Sequence, residues 1–275
     1  MKLLDLGTWP FSSRLLLELG QLEAMSAGHG QTTLAHLVGA LLQMLPVRQV
    51  LVASAADVEA AVARALMLVP KSSGKMPILS PDLQRLSVAE AHPTVGVFLR
   101  AAATAPLLKQ AGQPLLQHAD SIAGVLDAPR LQAVLTNLAA PDVVQLLPHL
   151  VVGFARAATR KHACVTTRHV VFASLEMLDK SLQKKGLVGI GEAVAKMADL
   201  LDRTSKRRAE ADKTVYYQAR LVGAIAFALA TPVEGAGARL LAGCLAGDDG
   251  IAFAVEARTE ALARLKGQGT ESPTQ

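Results

Sequence analysis

Apolar residues recur at intervals of three and four along almost the whole chain, with Pro, Gly and Asp between the runs. The segment 34–45 shows this clearly, with apolar residues at Leu34, Leu37, Leu41 and Leu45. This spacing places the side chains on one face of a helix. Alternation of apolar and polar residues, which is typical of a half-buried strand, is hard to find. The pattern therefore predicts an all-α protein.

Residues that cap or break a helix indicate where these helices begin and end. The sequence SPD at 80–82 predicts a helix start, because Ser caps the first turn and Pro fits the first helical position. Gly186 ends a long predicted helix over 166–185, and Pro232 follows one that begins near Arg208. About eleven or twelve helices of roughly 12 to 22 residues result, joined by short turns as in an α-solenoid or an irregular array of helical hairpins.

The helical pattern continues on both sides of the longest loop signal, PKSSGKMPILSPD at 70–82. Residues 1–266 are therefore predicted to form a single helical-repeat domain, with 70–82 as its candidate sub-boundary. The polar segment 267–275 is predicted to be a disordered tail.

Two short segments resemble each other and indicate a degenerate internal repeat. Residues 95–102 and 152–158 each contain Phe, followed two residues later by Arg and then by Ala-Ala. Both follow a Pro-Asp helix start, at 81–82 and at 141–142. The distance from Pro-Asp to Phe differs between them, whereas a strict array keeps its register.

Hydrophobic residues make up 51 % of the chain and aromatic residues only 3 %, so the core must consist of Leu, Val and Ala. Small residues of this kind suit close helix packing. A membrane span needs about 20 consecutive apolar residues. The segment 221–233 is too short, is broken by Pro232 and is followed by Glu234. The sequence therefore predicts buried helices and no membrane span.

No motif for catalysis or for a bound cofactor stands out. The glycine-rich turn 184–191 meets neither the P-loop nor the dinucleotide-binding spacing. His162 and His169 lie seven residues apart, but nothing like an HExxH zinc motif occurs. Cys164 and Cys244 lack ligand spacing, which also favours a reducing compartment. We expect no metal, no cofactor and no enzymatic activity, with an all-helical enzyme as a remote alternative.

The positive charge is concentrated in residues 156–213, which hold 13 Lys/Arg against 7 Asp/Glu in a chain of net charge +5. This asymmetry indicates a polyanionic partner. If alternate turns of a hairpin array share one edge, the basic residues could form a ridge along an RNA backbone. The candidate phosphate-binding residues are Arg156, Arg160, Lys161, Arg168, Lys184, Lys185, Lys206, Arg207 and Arg208.

A solvated basic face is the alternative interpretation of this charge. Lys184 and Lys185 would complement the dipole at a helix C-terminus. The cluster 206–208 is harder to explain in this way, because it would lie just before a helix N-terminus, where positive charge is unfavourable. Tyr216 and Tyr217, which follow, would either stack on bases or pack at the start of an apolar helix.

Residues 141–162, PDVVQLLPHLVVGFARAATRKH, and the following VTTRHVVFASLEML at 165–178 resemble a known class of helical repeat. They are similar to the heptatricopeptide and octotricopeptide repeats of organellar RNA-binding proteins, including FAST-kinase-like and RAP-domain proteins. In those repeats a turn residue and Asp open a helix that ends in an aromatic-Ala-basic-small pattern, here FARA at 154–157. The resemblance covers about 50 residues well. Val151 and Val152 stand where Trp is common, and the α/β RAP module is absent.

The resemblance implies a non-catalytic structural, RNA-contacting subunit of a large ribonucleoprotein, with a mitochondrial ribosome in the matrix as the expected assembly. Its partners would be rRNA or other structured RNA and neighbouring protein subunits. The alternative is a protein–protein scaffold subunit of another multisubunit complex, such as a respiratory one. Arg14 and Ser12–Ser13 fit an organelle presequence whereas Asp5 and Glu18 do not, so either none is present or it has been removed.

Overall fold

The structure, a computed structural model, describes residues 9–72, 77–89, 92–208, 215–230, 234–246 and 248–267. Sixteen α-helices and four strands of two residues each lie in this part of the chain, which confirms the predicted all-α class built from packed helical hairpins. None of these helices is long and apolar enough to cross a membrane.

The chain folds into two compact units, each of which we describe by itself. Unit 1 comprises residues 1–136 and 225–229, and unit 2 comprises residues 137–224 and 230–275. The predicted single domain over 1–266 stays a prediction, and its candidate sub-boundary at 70–82 lies inside unit 1. Of the predicted tail, residues 268–275 lie outside the described part of the chain.

Unit 1 is built around the first two helices, which pack along each other and bury nearly all of their leucines. Its two strands, β1 (Gln31–Thr32) and β2 (Ile78–Leu79), pair in parallel. Its helices are α1 (Phe11–Ala27), α2 (Leu34–Leu42), α3 (Leu45–Val50), α4 (Ala55–Met67), α5 (Pro81–Ala89), α6 (Val95–Thr104), α7 (Lys109–Gln117), α8 (Ala119–Leu126) and α9 (Pro129–Thr136).

Unit 2 is built around one long helix, α12, which packs against α11, α13, α15 and α16. Its strands β3 (Cys164–Val165) and β4 (Tyr216–Tyr217) also pair in parallel. Its helices are α10 (Pro141–Leu146), α11 (Pro148–Thr159), α12 (Thr167–Lys184), α13 (Gly191–Thr204), α15 (Ala236–Leu245) and α16 (Ala252–Gly267). Helix α14 (Ala219–Leu229) has residues in both units.

The helices are more numerous than predicted because several prolines begin a helix instead of ending one. Pro46 lies in the first turn of α3, directly after α2. Pro148 likewise lies in the first turn of α11, directly after α10. Proline is tolerated there because the backbone N–H that it lacks would have no partner within the helix.

In the described part of the chain, the helix that follows α13 is α14, which starts at Ala219 and not near Arg208 as predicted. Residues 206–208 are extended and form backbone hydrogen bonds with the turn that follows α11. Tyr216 and Tyr217 form strand β4 instead of a helix start, and the Tyr217 ring lies 6.3 Å from that of Phe154. The prediction that cations in 206–208 oppose a helix dipole stays a prediction, because the residues that follow them, 209–214, lie outside the described part of the chain.

Close packing of α6 on α7 predicts a clear contrast between two glycines. A Cβ atom on Gly112 in α7 would overlap the backbone of Ala103 in α6. Gly112→Ala should therefore lower the free energy of unfolding by about 2 kcal/mol or more. At the exposed position 124 of α8, a Cβ atom would touch nothing, so Gly124→Ala should raise the free energy of unfolding by up to about 1 kcal/mol through helix propensity. Urea unfolding of both variants checks this, and equal stability would contradict the packing of α6 on α7.

Candidate functional site: a basic junction over a buried histidine pair

Helix α11 ends in a sharp turn that directs the chain into strand β3. The N–H of His162 donates to the carbonyl of Ala157 over 2.9 Å, and that of Lys161 donates to Ala158 over 3.1 Å. These two bonds close a Schellman motif around Lys161, whose φ is +57°. Glycine is the usual residue at such a position, since a Cβ atom strains left-handed backbone.

This turn pairs with the chain that follows α13. The N–H of Ala163 donates to the carbonyl of Lys206 over 2.9 Å, and that of Arg208 donates to the carbonyl of Lys161 over 2.7 Å. Strand β4 continues the pairing, because the N–H of Tyr216 donates to the carbonyl of Ala163. We name residues 160–166, 205–208 and 216–217 the unit 2 junction. It brings together two basic clusters that lie far apart in the sequence.

Two buried histidines hold the junction against the start of α12. The backbone N–H of Thr166, the N-cap residue, donates to Nδ1 of His169 over 3.1 Å. Nδ1 therefore carries no proton, and the Nε2–H of His169 donates to Nδ1 of His162 over 2.9 Å. The remaining proton of His162 is then on Nε2, which lies 3.4 Å from Oδ1 of Asp202.

Both rings are neutral near pH 7. Burial, and then the neighbouring His162, lower the pKa of His169 to about 3. Burial also lowers the pKa of His162, against the opposing effect of Asp202. The rings are 0 % and 1 % exposed, and their nitrogens face protein groups. Such a pair can hold a turn in place, but it presents no nitrogen to a substrate.

Three of the predicted phosphate-binding arginines form ion pairs within unit 2. Arg160 binds Asp202 over 2.6 Å and lies over the ring of Phe172. Hydrogen bonding to Arg160 lowers the pKa of the Asp202 carboxyl. The other two pairs are Arg156 with Glu176 over 2.8 Å and Arg168 with Asp248 through two bonds of 2.9 Å.

The other six predicted residues fall into two places. Lys161, Lys206 and Arg207 are exposed at the junction, and the guanidinium of half-buried Arg208 donates to the carbonyl of Ala158 over 3.4 Å. Lys184 and Lys185 are exposed at the other end of α12. Since that helix has 18 residues, this end lies about 27 Å from the junction.

Unit 1 contains the same arrangement, 133 residues earlier in the chain. Nε2 of His36 lies 2.8 Å from Nδ1 of His29, and the N–H of Thr33 donates to Nδ1 of His36 over 3.1 Å. The strands pair alike, because the N–H of Gly30 donates to the carbonyl of Pro70 over 2.9 Å. The corresponding residues are Gly20 and Gly153, Ala24 and Ala157, Gly28 and Lys161, His29 and His162, Thr33 and Thr166, and His36 and His169.

We name residues 27–33, 70–72 and 78–79 the unit 1 junction. It makes the same backbone contacts as the unit 2 junction but contains fewer Lys and Arg residues. Lys71 forms the backbone bridge to His29 that Arg207 forms to His162. Apart from Lys71, the positions in unit 1 that correspond to the cations of the unit 2 junction hold Ala27, Gly28, Pro70 and Ser72.

Sequence reasoning missed this duplication and the histidine pairs. The signal is present, since His-x3-Thr-x2-His occurs at 29–36 and again at 162–169. This spacing differs from that of metal sites, and no group of three or more His, Cys, Asp or Glu side chains in the described part of the chain could hold a metal ion. The segments 95–102 and 152–158, which look alike, lie in α6 and α11 and do not correspond in this duplication.

The buried histidines predict a loss of stability in acid. Burial lowers the pKa of His36 to about 4 and that of His169 to about 3, from 6.5. Below pH 6.5 the unfolded chain therefore binds protons that the folded chain does not, and stability falls as the pH falls. Each histidine contributes up to about 1.4 kcal/mol per pH unit between 6.5 and its folded pKa.

Urea unfolding between pH 7.5 and 4.5 measures this slope, with His169→Gln as the comparison. Gln suits this position because its amide can accept from Thr166 and donate to His162, as in an ordinary capping box. The variant should show a shallower slope than the wild-type chain. If the two slopes are the same, His169 is not a buried neutral group.

Comparison with known proteins identifies no relative. No protein-family model, no curated protein and no solved structure matches the chain.

Proposed function

We propose that this protein is a non-catalytic, RNA-contacting helical-repeat subunit of a large ribonucleoprotein, with a mitochondrial ribosome in the mitochondrial matrix as the expected assembly. The organellar assignment is supported by the resemblance of residues 141–178 to organellar RNA-binding repeats. The RNA contact is supported by the cations of the unit 2 junction. Neighbouring protein subunits are the other expected partners.

The difference between the two junctions is the observation that carries the proposal. Unit 1 makes the same turn, histidine pair and strand pairing with Lys71 as the cation at the corresponding positions. The same backbone arrangement therefore forms with one cation in unit 1 and with several in unit 2. A cluster of exposed cations is typical of a surface that binds a polyanion.

Lys161 supports the same conclusion. It is the one described residue other than glycine with a positive φ, and Gly28 stands at its place in unit 1. Lysine in this conformation costs about 1 kcal/mol that glycine would avoid. A strained residue of this kind is often found at a functional site.

The geometry favours contact with a phosphate backbone over recognition of bases. Lys161, Lys206 and Arg207 are exposed and belong to backbone segments that hydrogen-bond to each other. Asp202, a described carboxylate beside the junction, is bound by Arg160. Tyr217, which could have stacked on a base, is half-buried against Phe154. Binding should therefore depend strongly on salt and little on sequence.

A salt titration tests this contact directly. Fluorescence anisotropy with a labelled RNA hairpin of arbitrary sequence should give an affinity that falls as salt rises. Contact between about four phosphates and the junction cations predicts a log–log slope of about −3. If the wild-type chain shows no salt-dependent binding, the RNA-contacting function fails.

Variants locate the contact on the junction. The triple variant Lys161→Gly, Lys206→Gln, Arg207→Gln should flatten the slope by about 2 or more. It should unfold at a urea concentration no lower than that of the wild-type chain, since Lys161→Gly relieves the strain of a positive φ at the position that Gly28 occupies in unit 1. The control Lys184→Gln, Lys185→Gln also removes exposed cations, but at the far end of α12, and should leave the slope unchanged. An equal loss in the control would contradict binding at the junction.

A further inference from the structure

Where unit 2 exposes charge around its junction, unit 1 exposes large apolar side chains. Met67 and Leu68 at the end of α4 correspond to Arg203 and Thr204 at the end of α13. Leu68 is 67 % exposed, and Leu107, in the loop between α6 and α7, is 55 % exposed. Single apolar residues on a surface are common, whereas a contiguous exposed group marks an interaction site.

Leu68 and Leu107 line the same groove in unit 1, which has a volume of about 340 Å³. Its floor is formed by buried Leu34 and Ala35 at the start of α2. The walls come from the end of α4, the loop between α6 and α7, and the start of α5, and they consist mainly of Leu68, Val69, Pro70, Pro81, Pro106 and Leu107.

Exposed cations accompany the elements that form this groove. Arg64 lies one helical turn before Leu68 and so shares its side of α4. Lys71 directly follows the wall residue Pro70, and Lys109 follows Leu108 at the start of α7. Asp82, a carboxylate among the described residues that line the groove, lies 3.5 Å from the guanidinium of Arg85. Arg64, Lys71 and Lys109 therefore each lie within one helical turn or one residue, along the chain, of a residue that lines the groove.

We propose that this groove binds an acidic amphipathic helix of a partner protein. Apolar side chains on one face of that helix cover Leu68 and Leu107, and its Asp and Glu residues lie beside the surrounding cations. Insertion of one helical face into an apolar groove is a common form of peptide recognition, and opposite charges around it favour such a helix over a basic one. The site lies in unit 1 and uses none of the cations of the unit 2 junction.

Two designed peptides test the proposal, both with leucines at positions i, i+4 and i+7 of a helix and alanine elsewhere on that face. The first has Glu at its polar positions, and the second has Lys at the same positions. Fluorescence anisotropy with the full chain should show binding of the Glu peptide, at least about tenfold tighter than of the Lys peptide at low salt. Equal affinities, or no binding of either peptide, would overturn the proposal.

Variants of the chain place the peptide in the groove. Leu68→Gln with Leu107→Gln should weaken binding of the Glu peptide at least about tenfold, because the apolar contacts are lost. Val88→Gln is the matched control, since Val88 is 81 % exposed on α5 and does not line the groove. Both changes are at exposed positions and should leave the urea midpoint almost unchanged. A similar loss in the control would overturn the assignment to the groove.

Two further measurements separate peptide binding in the groove from RNA binding and from self-association. The triple variant at the unit 2 junction should still bind the Glu peptide fully, so that a failure of the RNA-contacting function leaves this result intact. Sedimentation of the chain alone should show a monomer. A dimer that disappears in the Leu68→Gln, Leu107→Gln variant would mean that a second copy of the chain, and not an acidic partner, covers the groove.

Discussion

The hydrogen bond between the two histidines of each unit is the contact on which the rest of that unit depends. It joins the turn after one helix to the first turn of the next, where backbone N–H groups have no partners within the helix. Since Thr166 donates to one ring and that ring donates to the other, the turn has a defined position relative to α12. The returning chain can then pair with this turn over only two residues of strand. Because both rings are neutral, the unit gains this restraint without burying a charge.

Because buried histidines and backbone hydrogen bonds hold each junction together, the side chains on its outer surface can differ between the two units. Unit 1 and unit 2 keep the same turn, cap and strand pairing, but unit 1 has exposed leucines at a groove beside them, and unit 2 has more lysine and arginine at the junction itself. The basic surface is the basis of the proposed RNA contact, and the apolar groove is the basis of the proposed partner helix. Two copies of one scaffold, each with its own surface, would suit a subunit that joins RNA to protein in a large assembly.

Much of the helical structure could be predicted, because helix signals are local. The start of α5 and the extent of α12 follow from capping residues and apolar spacing within a few turns. The strands could not be found in this way, since each has two residues and pairs with a segment about 50 residues away. For the same reason, the contacts of the site residues could not be predicted from local sequence. The arginines at 156, 160 and 168 could be named from the sequence, but their carboxylate partners are contributed by other helices and loops.

The central claim is that RNA lies against the unit 2 junction and not against its less charged counterpart in unit 1. Ultraviolet crosslinking of the full chain to RNA, followed by mass spectrometry of the crosslinked peptides, tests it most directly. We expect crosslinks in the segments around 160–166 and 205–208, and none around 27–33 and 70–72. Crosslinks concentrated in the unit 1 junction, or at Lys184 and Lys185 alone, would contradict the claim.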